Sequence, residues 1–111
     1  MLVRLVQMTF QPERVPDFLA LFRRTATQIR AFPGCLDLEL VQPDGDAARF
    51  ATLSRWADAE ALEAYRQSDL FRSTWVATKV WFSDRPVATS YAIVWPQTET
   101  PGAGEAEPGV R

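Results

Sequence analysis

Histidine and asparagine are missing from this 111-residue chain, and cysteine occurs once, at Cys35. Without histidine the chain lacks the commonest metal ligand and the only side chain that titrates near neutrality when unperturbed. A zinc site, a histidine-ligated haem and any Ser-His or Cys-His nucleophile are excluded. A single cysteine cannot close an intrachain disulfide, so a cytoplasmic location is the expectation. There is no run of Lys or Arg, and 12 basic residues stand against 14 acidic ones. The basic footprint of a nucleic-acid binder is therefore absent. No apolar run approaches the ~20 residues of a membrane span. The opening Met1-Leu2-Val3-Arg4 lacks the charged-then-apolar order of a signal peptide. We expect no metal, no nucleic-acid partner and no membrane attachment.

What is present fits one domain with a single core. LVRLVQMTF (2–10) is rich in β-branched and long apolar types and reads as a strand. Pro12 and Pro16 follow where a helix begins, a place that tolerates proline because first-turn amides have no intrahelical acceptor. Val15, Phe18, Leu19, Phe22, Ala26 and Ile29 then recur at helical steps, and Pro33-Gly34 ends the run. CLDLELVQ (35–42) alternates, with Leu36, Leu38 and Leu40 on one face and Asp37 and Glu39 on the other. Pro43-Asp44-Gly45-Asp46 is turn chemistry, leading into ARFATLSRW (48–56). Asp58 and Ser68 stand as caps for two further helical pieces, the second spanning about 70–80. PVATSYAIVW (86–95) is the last strand. The segment from 96 to 111 holds three of the five glycines and three of the eight prolines, and is expected to be disordered.

The order strand, helix, strand, strand, helix, strand predicts an α+β, ferredoxin-like βαββαβ domain over 1–95, with a four-stranded antiparallel sheet. Its first and third strands are central. Helices cover one sheet face only, yet strands one and four are apolar on both faces. Exposed side chains of this kind cost roughly 1.5–3 kcal/mol each, so a second copy is expected against the bare face.

On strand three, Phe50, Thr52 and Ser54 share the parity of Trp56, placing two hydroxyls beneath the indole. Asp37 and Glu39 read as a solvated strand edge, Tyr91 as a packing residue, and Cys35, with no flanking cation to depress its pKa, as a small core residue.

PGCLDLEL and RFATLSRWADAEALEAYRQSDLF together resemble the antibiotic biosynthesis monooxygenase family of dimeric α/β barrels, over residues 2–95. The family looks functionally mixed, with cofactor-free oxygenases of aromatic polyketides, haem-degrading enzymes and isomerases. The resemblance implies a pocket between sheet and helices, with Trp56 at the position of a tryptophan that turns an aromatic face to the ligand. Thr52 takes the place of a substrate-binding asparagine in the quinone-forming branch. Gln7 takes that of an asparagine on strand one in the haem-degrading branch. Trp75 falls where that branch has its iron ligand, and an indole cannot ligate iron, so haem degradation is not expected. More approximately, Trp75 also matches a catalytic arginine of the polyketide branch, a role Arg72, one turn earlier, could take.

The expected catalytic set is therefore Trp56, Thr52 and Arg72. The expected substrate-binding set is Gln7, Phe22, Ser54, Tyr65 and Trp75, with hydrogen bonds offered by Gln7, Thr52, Arg72 and the Trp56 indole N–H. The implied activity is cofactor-independent monooxygenation of a small anthrone- or quinol-like aromatic. An isomerase or cyclase on the same scaffold, with Tyr65 or Arg72 doing acid-base or electrostatic work, and a non-catalytic dimeric ligand-binding module are the alternatives.

Overall fold

The computed structural model describes residues 1–96. Strand β1 (Leu2–Thr9) runs through a 3-10 turn (Pro12–Arg14) into helix α1 (Val15–Arg30). Strands β2 (Cys35–Val41) and β3 (Arg49–Trp56) form a hairpin. Helices α2 (Ala59–Arg66) and α3 (Asp69–Lys79) and strand β4 (Val87–Ala92) complete the chain. All pairings are antiparallel and the sheet order is β2-β3-β1-β4, with β1 and β3 central as the element order predicts. The tail expected to be disordered lies, from residue 97 onward, outside the described residues.

Local chemistry sets the element ends. Gly34 adopts φ +89° after α1, a conformation that favours glycine, and a Cβ there would overlap that of Ala61. The Asp58 carboxylate accepts the Ala61 N–H at 2.8 Å and the Ser68 hydroxyl accepts the Phe71 N–H at 3.1 Å. These contacts satisfy amides that the first turns of α2 and α3 leave without intrahelical partners. Ser68 also donates to the Tyr65 carbonyl at 2.6 Å, tying the two helices at a tight corner.

Two expectations need correction. β2 does not alternate from its first residue. Cys35 pairs with Trp56 and Asp37 with Arg55, so Leu36 is an extra residue in a bulge and is 52% exposed rather than turned into the core. β4 is also shorter than 86–95, because Ile93–Pro96 leave the strand ladder.

The helices lie on one face of the sheet, and its buried side chains fall into two clusters. Ile29, Leu38, Trp56, Leu62 and Tyr65 fill the end nearest α2. Met8, Phe10, Phe18 and Phe50 fill the opposite end. Phe22 of α1 is packed against both. The other face of the sheet presents Val3, Leu5, Leu53, Val87 and Tyr91, the last two about half exposed.

Candidate functional site

The register of the two central strands builds one wall of the site. Paired residues share a face, and down the helix-facing side the pairs are Leu2–Trp56, Arg4–Ser54, Val6–Thr52 and Met8–Phe50. Between the two core clusters, above this wall, lies a cavity of about 440 Å³, within the range of small-molecule sites. α1 contributes Phe22 and Thr25, α2 contributes Tyr65 and Arg66, and α3 contributes Phe71, Thr74, Trp75 and Thr78. Phe18, Leu21 and Ile29 of α1, Leu38 of β2, and Pro86 and Ala88 at the thinly covered β4 side complete the lining.

Aromatic rings run along the helical side. Trp56 stacks on Tyr65 with centroids 5.0 Å apart, and Tyr65 meets Phe71 edge-on at 5.3 Å. Phe71 lies parallel to Trp75 at 6.3 Å, and Trp75 approaches Phe82 at 5.7 Å. Four of these rings line the cavity, so a flat apolar guest would meet π faces and edges rather than flexible aliphatic chains.

Trp56 has no solvent exposure, and its indole N–H donates to the Ser54 hydroxyl oxygen at 2.9 Å. That hydrogen bond corrects the expectation that this N–H is open to a ligand: the donor is already committed, and its partner orients the ring. Ser54 keeps its own O–H. Among the described residues Thr52, Ser54 and Tyr65 carry hydroxyl donors without a protein acceptor. The helix threonines differ, since Thr25, Thr74 and Thr78 donate back to the Leu21, Leu70 and Thr74 carbonyls.

Burial pushes the Tyr65 phenol up to about 12, an effect only partly offset by the nearby Arg4 charge and added to by Cys35. Tyr65 is therefore a neutral hydrogen-bond donor at physiological pH, not a base. Burial likewise raises the Cys35 thiol, against a lowering from its contact with the Asp37 carbonyl, consistent with a packing role.

Of the expected site residues, Phe22, Thr52, Ser54, Trp56, Tyr65 and Trp75 come together around the cavity. Gln7 does not. It pairs with Ala51 and Val87, so its side chain stands on the opposite face of the sheet. Arg72 does not line the cavity either. It is exposed, bound to Asp69 at 2.8 Å and donating to the Gln67 carbonyl at 2.8 Å, where it stabilises the start of α3.

Two cations and two rings, Phe18 and Phe71, escaped the sequence reasoning. Arg4 and Arg66 line the cavity, as do both rings. Arg4 was findable, being a charge among apolar residues at the same parity as Val6 and Met8 on a central strand. Arg66 carries an exposed ion pair to Glu63 at 2.9 Å, whereas Arg4 forms no ion pair among the described residues. Desolvation and the like charge of Arg66 both lower the Arg4 pKa, with Tyr65 and Glu63 opposing.

Among the described residues no group of three or more His, Cys, Asp or Glu side chains could hold a metal ion, and no helix is long and apolar enough to cross a membrane.

A four-stranded antiparallel sheet in this order, with its helices on one face, defines the ferredoxin-like class. Within that class the comparison is specific: the antibiotic biosynthesis monooxygenase family model matches residues 1–77, and the chain belongs to that family. A crystal structure named antibiotic biosynthesis monooxygenase superposes with a TM-score of 0.79 at 22% identity, covering 85% of this chain and 99% of the other. A Nitrosomonas europaea protein given the same family name superposes with a TM-score of 0.80 at 16% identity, covering 86% and 100%. One from Caulobacter crescentus gives 0.79 at 21%, covering 84% and 89%. At these identities the likeness concerns fold. No functionally curated protein matches the chain.

Proposed function

We propose that this chain is a cofactor-independent monooxygenase-like protein acting on a small aromatic or polyketide-type molecule, an anthrone or quinol, in the cavity between sheet and helices. The observation that carries this reading is the cavity itself, about 440 Å³ of unfilled space with Phe22, Trp56, Tyr65, Phe71 and Trp75 around it and free hydroxyls on its sheet wall. A core built for packing alone would fill such a gap.

The chemistry asks little of the protein. A phenol or anthrone loses a proton, its carbanion passes one electron to dioxygen, and the radical pair combines to a peroxide. Loss of water from that peroxide leaves the quinone, so one oxygen atom enters the ring and the other leaves as water. Among the described residues no carboxylate or histidine lines the cavity, and Tyr65 holds its proton up to about 12. The proton therefore leaves to solvent water through the substrate's own acidity, and the peroxide anion takes one back before it loses water. The contribution of Thr52, Ser54 and Tyr65 is to donate hydrogen bonds to the oxygen on which charge develops. Trp56 holds Ser54 in place and closes one end.

That no base lines the cavity among the described residues also favours a second reading, a non-catalytic binding module using the same cavity. Oxygen-electrode measurements with an anthrone panel in metal-chelated buffer separate the two. Uptake that falls about tenfold or more in Thr52→Ala supports the oxygenase, since one hydrogen bond to a charged oxygen is worth that much. No uptake across the panel supports the binding module.

The working form in this proposal is a homodimer. The apolar stripe of Val3, Leu5, Leu53, Val87 and Tyr91 on the open face is what a second copy would cover.

A further inference from the structure

The cavity is unequal in charge. Two arginines line it and, among the described residues, no carboxylate does. Arg66 is already paired, its Glu63 partner also accepting from Gln67 at 2.7 Å. Arg4 is different. Its cross-strand neighbours on the helix-facing side are Ser54 on β3 and Ser90 on β4, both neutral. The diagonal positions, Thr52, Trp56, Ala88 and Ala92, are neutral as well. A guanidinium keeps its charge in such surroundings. The Glu63 carboxylate acts on it from α2 but is ion-paired to Arg66 and not to Arg4, and a partly buried cation without a directly paired carboxylate is unfavourable on its own account.

Deepening the proposed function, and resting on that reading of the cavity as a binding site, we propose that the ligand binds as an anion: an aromatic molecule whose carboxylate or ionised phenol is held by Arg4, with Ser54 and Tyr65 completing the contacts. The polar groups gather at one end, where β1 begins and β3 finishes. The Met8, Phe18 and Trp75 end is apolar and would take the ring system. A guanidinium offers parallel N–H donors that match two oxygens or one oxygen with a neighbouring carbonyl. In the oxygenase reading this end is where the negative oxygen left by proton loss would sit, so the cation would favour the already ionised substrate.

Calorimetric binding of four probes to the full chain tests this: 2-naphthoate against 2-naphthamide, and 2,4-dinitro-1-naphtholate against its methyl ether. Each anion is expected to bind about tenfold or more tightly than its neutral partner, as a charge-assisted hydrogen bond implies. The naphthoate and dinitronaphtholate arms show whether carboxylate or phenolate is preferred. Arg4→Gln is expected to abolish the discrimination while leaving the neutral probes bound. Arg4→Lys, which keeps the charge and loses the fork, should retain part of it. Arg66→Gln should leave most of it. Neutral probes binding as well as the anions, or discrimination lost in Arg66→Gln but kept in Arg4→Gln, overturns this inference alone. Failure of all four probes to bind overturns the cavity as a ligand site.

Discussion

At the scale of single residues, the Trp56–Ser54 hydrogen bond shows why a large indole ends β3. The ring closes one core cluster while its polar edge is satisfied within two residues of the same strand face. Ser54→Ala leaves a buried indole N–H unpartnered and should cost about 1–3 kcal/mol in urea unfolding. Ser54→Ala combined with Trp56→Phe removes both partners, so the double variant should lose clearly less than the sum of the singles. Tyr65 gives a second prediction. Its pKa rises from about 10 in the unfolded chain to about 12 in the fold, so the folded state holds its proton more tightly. That stabilising contribution is complete below about pH 10 and is lost as pH climbs through about 12. In a Tyr91→Phe background, where Tyr65 is the sole tyrosine, tyrosinate absorbance should stay low near pH 10 and rise only near 12 or on unfolding.

The same scale shows what the sequence made legible. Thr52, Ser54 and Trp56 could be assigned to one face because a strand alternates with period two. Gln7 was open to the same argument, since it shares parity with Val3 and Leu5 and not with Val6 and Met8. A likeness of side-chain type had placed it in the pocket; the pleat excludes it. Arg4 went unread for the converse reason, as a lone arginine near a chain start looks like solvent-facing charge until strand pairing sets it beside Ser54. Arg72 could not be resolved from spacing, because its ion pair with Asp69 depends on the exact turn at which α3 begins.

At the scale of elements, caps, turns and periodicity were readable because they are local. Asp58, Ser68 and Pro33-Gly34 mark boundaries that the structure keeps to within a residue or two. The bulge at Cys35–Leu36 was not readable, since three alternating leucines give no sign that one is displaced. It shows only in the pairing across the hairpin, where Cys35 and Asp37 face the consecutive residues Trp56 and Arg55. Removing the cap in Ser68→Ala should destabilise the domain by about 1 kcal/mol, read as a lower urea midpoint with unchanged slope. Gly34→Ala should cost more, because it adds a Cβ both at positive φ and against Ala61.

At the scale of the whole molecule, the helices leave one sheet face uncovered, β4 has both faces thinly covered, and Val94 and Trp95 beyond it are about four-fifths exposed. Such a surface is expected to be occupied in solution. Sedimentation equilibrium at micromolar concentration should give twice the 12.5 kDa chain mass, and Leu5→Lys, placed mid-stripe on the open face, should shift the protein toward monomer. A monomeric mass for the unaltered chain would remove the dimer from the account.

The central claim is that the gap between the two core clusters receives an aromatic guest. Its most direct test is an anaerobic titration of the isotope-labelled protein with 1,8-dihydroxyanthrone, followed through indole N–H and helix amide resonances. Saturable shifts at Trp75, Trp56, Phe22 and Phe71, with the 43–47 turn unmoved, are the expected result. Unchanged spectra, or shifts confined to open-face residues such as Gln7 and Tyr91, would contradict it.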